Sequence, residues 1–487
     1  MSTGTPGQID DLRAWLDAAR DLGDVRDVRG ADWNLEIGAA SEVNYRSANP
    51  AALLFDSIEG YPDGHRVLTG SMSNARRLAL TLRLGSDLDD HALVRALRGK
   101  PSEWIARAVD FPPVEVASGP VTEIVESGDD IDLTAFPAPQ WHEDDGGRYI
   151  GTGCAVFTTD PHTGHVNAGA YRMQVQGPRH ATINIEAGKH GAMHVREWFA
   201  EKGRCPVTAT LGSDPLLVIA AGTEVPVNVS ELAYVGAIQG HPVEIVPGQV
   251  TGLPVPANAE IVVEGWLHPD RRSHEGPFGE WTGYYSGGGG REEVLELEIE
   301  RVYRRPDPIL LGTPPGKPPH DYSYMRSVMK SSMILDALVA TGLPEVRGVW
   351  AHEEGGGRQL LAVAIDQKYP GHARQAGLLA SQIPAAAYMN KFVIVVDGDV
   401  DTRSLSEVMW AVCTRTEPGQ DIEVLRRTWG SRVDPLDPGD GPPFNTRAVI
   451  DACRPFELLD SFPKVAEASA DLCQKVVAKW PDVLGGR

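Results

Sequence analysis

The apolar positions near the start of the chain recur with the spacing of a helix. They fall roughly on one face, with Asp and Arg side chains on the opposite face, as in an amphipathic helix. These positions are Ile9, Leu12, Leu16 and Leu22. We therefore predict that the chain begins with a helix.

From about residue 115 to residue 310 the pattern changes to that of β-strands. Leu295, Leu297 and Ile299 alternate with glutamates, which is typical of a half-buried strand. The predicted strands are 149–158, 207–210, 216–221, 243–245, 260–266 and 294–303. Because Gly- and Pro-rich turns separate these strands, they favour a barrel or sandwich over a doubly wound parallel sheet.

A run of prolines and glycines at 312–319 ends the β pattern, and a helix-length apolar stretch follows at 322–341. We interpret this stretch as the connector to a second α/β part. In that part, 392–396 has the composition of a buried strand, and Ser404 with Glu407 forms a capping-box pattern. A final helix carries an apolar stripe at Val465, Leu472, Val476 and Trp480.

Composition and charge exclude several classes of protein. Of the 487 residues, 42% are hydrophobic and 23% are charged, as in an ordinary packed protein. The net charge of −22 argues against binding to a nucleic-acid backbone. No stretch approaches the roughly 18 apolar residues of a membrane-spanning helix. Residues 1–8 lack the basic and apolar regions of a secretion signal. We therefore expect a cytoplasmic protein with neither nucleic acid nor membrane as partner.

The five cysteines are widely spaced and include no C-x-x-C pair, which argues against a disulfide framework or a zinc knuckle. We expect them to be small buried side chains. Several catalytic motifs are also missing, namely G-x-x-x-x-G-K-[ST], H-E-x-x-H and G-x-S-x-G. Gly151 and Gly153 begin a dinucleotide-binding pattern, but its third glycine is absent. ATPase, zinc peptidase and α/β-hydrolase activities are therefore not expected.

The sharpest local motif is Glu275-Gly-Pro-Phe-Gly-Glu280, which we call the twin-acid turn. Its two carboxylates bracket a segment that cannot be a regular helix. A turn that brings both acids into one cleft raises the pKa of one of them and leaves the other ionised. That pair of states suits a proton donor beside a charged partner. The alternative is a solvated turn with two surface acids.

A second set of candidate residues combines Asn167 and Arg172 with His190 and Glu231. An amide oxygen, an imidazole and a carboxylate suit Mn²⁺ or Mg²⁺ better than a structural zinc ion. Phosphate or water would then complete the coordination of the ion. Each residue alone is a weak signal, since an isolated histidine is more often only hydrogen-bonded or exposed.

Together these motifs resemble the UbiD family of reversible decarboxylases, which use prenylated FMN. The resemblance covers nearly the whole chain. Its residues are 167–172 (NAGAYR), His190, Ser230-Glu231, the twin-acid turn, 391–397 (KFVIVVD) and Leu35-Glu36-Ile37.

The resemblance implies an α/β (α+β) fold of four parts. These are an N-terminal α/β portion (1–114), a split β-barrel that binds the flavin (115–315), a connecting helix (316–345) and a C-terminal α/β dimerisation domain (346–487). It also implies a homodimer, to which the last helix and residues 456–459 would contribute, and a flavin prenyltransferase as the supplier of the cofactor.

The resemblance further implies the site residues. Asn167, His190 and Glu231 would hold Mn²⁺ (or Mg²⁺) against the cofactor phosphate, with K⁺ nearby. The residues expected to bind the cofactor are Asn167, Ala170, Tyr171, Arg172, Lys189, His190, Ala221, Gly222, Thr223, Glu231 and Lys391. The chain departs from the family pattern at Lys189, where some relatives have Gln, and at Ala221-Gly222-Thr223-Glu224. The orientation of Glu224 does not follow from the sequence.

Arg172, Glu275 and Glu280 match the family's catalytic network. By resemblance, the substrate forms a covalent adduct with prenylated FMN and loses CO₂, and Glu280 then protonates the product carbon. His320, Tyr322 and Ser323 fall where relatives place substrate-pocket residues, and their polarity favours a pyrrole- or indole-carboxylate. A cinnamic or hydroxybenzoic acid is the alternative substrate, and a helix cap that faces solvent is the alternative role for these residues. An FMN oxidoreductase and a non-catalytic flavin carrier are the alternatives from other classes.

Overall fold

The predicted N-terminal helix is confirmed. In the computed structural model, which describes residues 8–285 and 292–484, it spans Leu12–Asp21 (α1) and buries Trp15 and Leu16. Asp11 caps it by accepting a hydrogen bond from the Ala14 N–H at 2.7 Å. The tetraglycine 287–290, for which the sequence suggests either a mobile hairpin or lid edge or a solvent-exposed tip, lies outside the described residues.

A small mixed sheet follows α1. Its strands are β1 (Val25–Arg29), β2 (Ala52–Asp56) and β3 (Arg66–Thr69), and Ile309–Leu311 returns from much later in the chain to pair parallel with β3. The other elements of this part are α2 (Glu36–Tyr45), α3 (Ala75–Thr81), α4 (Asp90–Ala96), α5 (Lys100–Arg107) and β4 (Val114–Glu115).

The middle of the chain forms a nine-stranded, mainly antiparallel sheet. Its strands are β5 (Ile124–Ser127), β6 (Tyr149–Gly151), β7 (Ala155–Thr159), β8 (Val166–Gly169), β9 (Met173–Gly177), β10 (His180–Ile183), β11 (Cys205–Gly212), β14 (Ile261–Glu275) and β15 (Glu292–Arg304). The order β6-β9-β10-β15-β14-β11-β7-β8 is an open path, with β5 beside β15. The path describes a split rather than a closed barrel, as expected.

The remaining middle elements are α6 (His190–Lys202), α7 (Pro215–Ala221), α8 (Glu231–Gln239), β12 (Glu244–Pro247), β13 (Pro254–Pro256) and β16 (Ile309–Leu311). The prediction of a strand at 216–221 is wrong, because α7 occupies it. Pro215 stands in the first turn, where proline suits a helix, and Asp214 caps it by accepting from the Leu216 N–H at 3.0 Å. A short apolar run does not distinguish a buried strand from a buried helix.

The C-terminal part begins with the predicted long helix, which spans Asp321–Ala340 (α9). Its five-stranded sheet has the order β17-β18-β19-β21-β20. The elements are β17 (Val346–Ala351), β18 (Leu360–Ile365), α10 (His372–Gln382), α11 (Pro384–Ala387), β19 (Phe392–Asp397), α12 (Leu405–Arg415), β20 (Ile422–Trp429), β21 (Phe444–Ala452), α13 (Ala470–Lys479) and α14 (Pro481–Leu484). The buried strand at 392–396 is confirmed, and Ser404 caps α12 as predicted.

One apolar cluster joins the middle and C-terminal parts. Val328 and Leu335 of α9 share it with Ile219 of α7 and Val363 of β18. Helix α9 therefore packs against both parts, and its N-terminal end lies where they meet. No helix within the described residues is both long and apolar enough to span a bilayer.

The expectation for the cysteines is correct for three of five. Cys154, Cys205 and Cys453 are buried and free, but Cys413 and Cys473 are exposed. Helices α12 and α13 carry these two side chains on surface positions, which cysteine spacing alone does not reveal.

Candidate active site

The two acids of the twin-acid turn converge on one arginine. Glu275 ends strand β14, and Gly276 leaves the strand at φ 88°, a backbone conformation that favours glycine. Arg172, just before β9, donates from Nε and Nη2 to the two oxygens of Glu275 at 2.7 and 2.8 Å. Its Nη1 donates to Glu280 Oε1 at 2.9 Å. The alternative of a solvated turn with two surface acids is therefore wrong.

Burial and the neighbouring charges shift the pKa of Glu280 and that of Arg172. Burial raises the pKa of Glu280 to about 7, because the favourable charge of Arg172 only partly offsets desolvation and Glu186 and Glu275 add repulsion. Burial alone would lower the pKa of Arg172, but the hydrogen bonds and charges of the two carboxylates raise it above its usual range. The network therefore holds a permanent cation beside an acid that is protonated and deprotonated near neutral pH.

Three residues that the sequence analysis missed support this network. Asn184 donates from Nδ2 to Glu275 Oε2 at 3.2 Å. The Phe278 ring lies 5.6 Å from the Arg172 guanidinium carbon and stacks on Tyr149 at 3.8 Å. Phe278 could have been found from the sequence, because it is an aromatic residue within the twin-acid turn. Asn184 and Tyr149 could not, because they reach the site only through the pairing of strands.

The predicted metal ligands Asn167 and Glu231 lie close together. Asn167 is in β8 and Glu231 begins α8, and both are 4% exposed. Glu231 Oε2 accepts a hydrogen bond from the N–H of Ala168, the neighbour of Asn167, at 2.8 Å. His190 begins α6 and is half-buried. The structure thus joins the Glu231 carboxylate to the backbone next to Asn167.

These residues have the features of a site that binds a cation. Burial raises the pKa of Glu231 to about 7, and among the described residues no basic side chain pairs with it. The Asn167 Nδ2 atom is buried without a hydrogen-bond partner, so this donor suits an acceptor on a bound ligand, and only the amide oxygen could contact the cation. No group of three or more His, Cys, Asp or Glu side chains that could hold a metal occurs in the described ranges. A site here would therefore depend on an amide oxygen and on oxygens from a ligand, as the composition of the set predicts.

Several predicted cofactor-binding residues pack around the same point. The Ala170 N–H donates to Ala221 O at 3.1 Å, and the Tyr171 hydroxyl accepts from the Gly191 N–H at 3.2 Å. Thr223 donates from its hydroxyl to Ile219 O at 2.7 Å. Lys189 is exposed at the N-terminus of α6.

Lys391 lies in a different environment. Its Nζ is 2.7 Å from Asp434 Oδ1, and its backbone N–H donates to Gln359 O at 2.9 Å. Both partners belong to the C-terminal part, so the described contacts do not connect Lys391 with Asn167 or Glu231.

The three predicted substrate-pocket residues have different roles in the structure. His320 caps α9: its Nδ1 accepts from the Ser323 N–H at 3.3 Å, and the Ser323 hydroxyl donates to His320 O at 2.8 Å. The alternative of a helix cap is therefore correct for these two residues, but the cap is buried and does not face solvent. Tyr322 points elsewhere, since a Cβ on Gly222 would lie 1.6 Å from its hydroxyl oxygen. Tyr322 and Gly222 therefore face one another.

Three family models match most of the chain. The N-terminal, Rift-related and C-terminal domains of 3-octaprenyl-4-hydroxybenzoate carboxy-lyase (UbiD_N, UbiD and UbiD_C) match residues 16–97, 113–318 and 323–452. An uncharacterized protein of Archaeoglobus fulgidus is 30% identical over 492 residues, which cover 97% of this chain and 98% of the relative.

Two solved structures are similar over nearly the full length. The UbiD-class enzyme HmfF of Pelotomaculum thermopropionicum, in complex with FMN, is 27% identical with a TM-score of 0.82, and the match covers 96% of this chain and 100% of HmfF. An evolved dimeric form of HmfF contains prFMN. The vanillic acid decarboxylase of Sedimentibacter hydroxybenzoicus is 30% identical with a TM-score of 0.80, and the match covers 98% and 100% of the two chains.

Proposed function

Since the chain belongs to the UbiD family of carboxy-lyases, we propose that it decarboxylates a heteroaromatic acid with prenylated FMN as cofactor and Glu280 as proton donor. Family membership makes the chain a decarboxylase of aromatic acids that uses a flavin. The observation that carries the finer proposal is the buried contact of Arg172 with Glu275 and Glu280.

Glu280 suits the role of the acid because its pKa of about 7 keeps a large fraction protonated at neutral pH. An ordinary glutamate would be almost fully ionised there. A proton donor works best when its pKa lies near the working pH, since the protonated form is then both populated and acidic enough to release its proton. After decarboxylation, Glu280 would give this proton to the product carbon.

Arg172 suits the role of an orienting cation. Its two-pronged bond to Glu275 fixes the plane of the guanidinium, and Asn184 and Phe278 restrain the pair further. A guanidinium fixed in this way can direct the carboxylate of an acid toward a defined position, which increases the fraction of productive encounters.

We propose that Asn167, His190 and Glu231 hold Mn²⁺ or Mg²⁺ and that the ion neutralises the flavin phosphate. The buried, uncompensated carboxylate of Glu231 supports this proposal. K⁺ would lie nearby, with Glu231 and backbone carbonyls near Ala221 as ligands. When bound, prenylated FMN would supply the electron sink for the electron pair that stays on the substrate carbon as CO₂ leaves. Lys391 would contact the phosphate only after leaving Asp434.

A heteroaromatic substrate is supported by the residues that face the site. The Tyr322 hydroxyl makes no hydrogen bond within the described residues, and it lies against Gly222 in the segment proposed to bind the cofactor. A ring N–H or hydroxyl would give this hydroxyl a partner, which a purely hydrocarbon ring does not. We therefore favour pyrrole- or indole-carboxylates over cinnamic acids.

A substrate screen tests this proposal. The protein is produced together with a flavin prenyltransferase, and CO₂ release is measured with pyrrole-2-, indole-3-, furoic, hydroxybenzoic and cinnamic acids. We expect turnover of a pyrrole or indole acid. Exclusive turnover of cinnamic acids would contradict the substrate class, and consumption of NAD(P)H without CO₂ would contradict the reaction.

We also propose that the chain is a homodimer. Of the predicted stripe, Leu472 and Trp480 are 51% and 46% exposed, Val465 lies before α13 begins, and α13 itself buries no residue. Leu458, in the segment that the sequence analysis assigned to dimerisation, is 47% exposed. An apolar stripe of this kind on a C-terminal helix is typical of a surface that a second subunit covers.

A further inference from the structure

Three basic side chains lie beside the twin-acid turn, and we call them the basic cluster: Arg326, Lys330 and Arg358. Arg326 and Lys330 are four residues apart on α9 and share one helix face. Trp281, which follows Glu280, contacts the two arginines. Its ring centre is 5.2 Å from the guanidinium carbon of Arg326 and 5.9 Å from that of Arg358.

Aromatic rings hold the two guanidiniums without neutralising them. Arg326 also lies 5.1 Å from the ring centre of Tyr322, and Arg358 lies 5.0 Å from that of Tyr388. Contacts of a cation with the face of a ring are stabilising, but they add no negative charge. They fix the position of the basic cluster and leave its charge available.

Among the residues that the structure describes, none forms an ion pair with the basic cluster. Within the described residues, no carboxylate oxygen lies within 4.0 Å of its charged nitrogens. Arg326 donates from Nη1 to the carbonyl of Gly356 at 3.1 Å, and the Nε of Arg358 is buried without a hydrogen-bond partner. This arrangement contrasts with Arg172, which two carboxylates surround.

The missing counter-ion shows in the acid–base behaviour of the cluster. Burial and the charge of Arg358 lower the pKa of Arg326 to about 9, and burial with the charges of both arginines lowers that of Lys330 to about 8. The carboxylates whose charges reach the cluster only partly offset burial. Glu280 acts on Arg326, and Glu224 acts on Lys330. Glu186 and Glu224 both act on Arg358.

The three side chains are half-buried, and charges that are partly removed from water without a partner are costly. A folded protein that keeps three of them beside its acid–base residues is typical of a site whose ligand supplies the opposite charge. The carboxylate that leaves as CO₂ is directed by Arg172, so a ligand of the basic cluster must carry another anionic group. A planar carboxylate matches the fork of an arginine.

We infer that the basic cluster binds a second carboxylate of the substrate, so that the acid is a heteroaromatic dicarboxylate. This inference rests on the proposed decarboxylase function. The cofactor phosphate is the other anion with the required charge. Trp281 joins the two arginines of the basic cluster to Glu280, the proposed proton donor, and this placement favours the substrate.

The experiment compares pyrrole-2,5-dicarboxylate with pyrrole-2-carboxylate on the flavin-loaded protein. We expect wild type to prefer the dicarboxylate at least tenfold in kcat/KM. Arg326→Gln and Arg358→Gln should each remove most of this preference through a higher KM, with flavin content unchanged. Arg347→Gln is the matched control, because that arginine is 51% exposed on β17 and pairs with Glu345.

Binding is measured separately by calorimetry on Glu280→Gln protein, which is not expected to turn the acid over. There too the dicarboxylate should bind at least tenfold more tightly than the monocarboxylate, and Arg358→Gln should abolish the difference. Because the variants remove charges that have no carboxylate partner, their melting temperatures should stay close to that of wild type. A lower melting temperature in both variants would assign the cluster to structural support and overturn the inference.

Two further results would overturn the inference and leave the proposed function intact. Equal kcat/KM for the two acids would show that no second carboxylate is recognised. Loss of flavin from Arg326→Gln and Arg358→Gln would assign the cluster to the cofactor phosphate. If the loaded protein released no CO₂ from any acid, the proposed function itself would fail, and the calorimetric comparison would still decide whether the cluster binds the dicarboxylate.

Discussion

Glu280→Gln is the substitution that most sharply separates the acid–base chemistry from binding. The amide oxygen of glutamine can still accept the hydrogen bond that Arg172 Nη1 gives to Glu280 Oε1 at 2.9 Å. The side chain keeps its size, so the turn and the contact should persist. What disappears is the acidic proton.

The size of the effect follows from the burial of this carboxyl. With a pKa of about 7, Glu280 is about half protonated at pH 7, whereas a glutamate at 4.5 would be only about 0.3% protonated. Burial thus increases the donor form about 160-fold. General-acid catalysis contributes about 10²–10⁴ in rate, so we expect kcat to fall by at least about 10²-fold, or about 3 kcal/mol of barrier.

The assay is CO₂ release by the flavin-loaded protein, with the flavin spectrum as a check that the cofactor is bound. Glu423→Gln is a matched control, since this glutamate is 42% exposed on β20 and pairs with Arg374. In wild type, kcat should fall about tenfold per pH unit above about 7, because the protonated form of Glu280 is lost there. Wild-type turnover by Glu280→Gln, or a flat pH profile up to pH 9, would refute the assignment.

Three further predictions concern cofactor binding, packing and assembly. Asn167→Ala and His190→Ala should lower bound Mn²⁺ and flavin together, as measured by metal analysis and absorbance; flavin that survives chelation unchanged would contradict a bridging ion. Gly222→Ala should destabilise the fold by about 1–3 kcal/mol in urea unfolding, because the new Cβ would lie 1.6 Å from the Tyr322 hydroxyl, and Tyr322→Phe in the same chain should recover part of the loss. Light scattering should report a dimer that Trp480→Asp weakens, whereas a monomeric wild type would contradict the proposed interface.

The sequence predicted those parts of the fold whose signals are local. The helix periodicity of α1 and α9, the cap at Ser404 and the composition of β19 each depend on a few neighbouring residues, and each prediction is confirmed. The strand predicted at 216–221 failed because a buried helix of seven residues has no polar face to reveal its period.

Only those site residues that belong to motifs or to the family resemblance could be predicted from the sequence. They named the residues that converge, Arg172 with Glu275 and Glu280, although 103 residues separate the first two in the chain. They missed Asn184, whose contact with Glu275 depends on how strands pair. They also missed the basic cluster, because its cations become significant only when the fold removes them from water and from carboxylates.

The orientation of Glu224 shows the same limit. The sequence marked this residue as a departure from the family pattern and gave no direction for its side chain. In the structure its charge acts on Lys330 and Arg358, which belong to a different part of the chain. Such long-range electrostatic relations follow from the packing of α9 against α7 and not from local pattern.

A crystal structure of the flavin-loaded protein, with anomalous scattering recorded at the manganese edge, tests the central claim most directly. The account predicts a manganese peak about 2.0–2.4 Å from donor atoms of Asn167, His190 and Glu231, with the flavin phosphate as a further ligand. It also predicts the reactive ring of the flavin next to the carboxyl of Glu280. A manganese ion elsewhere, or a flavin whose ring lies away from Arg172 and Glu280, would contradict it.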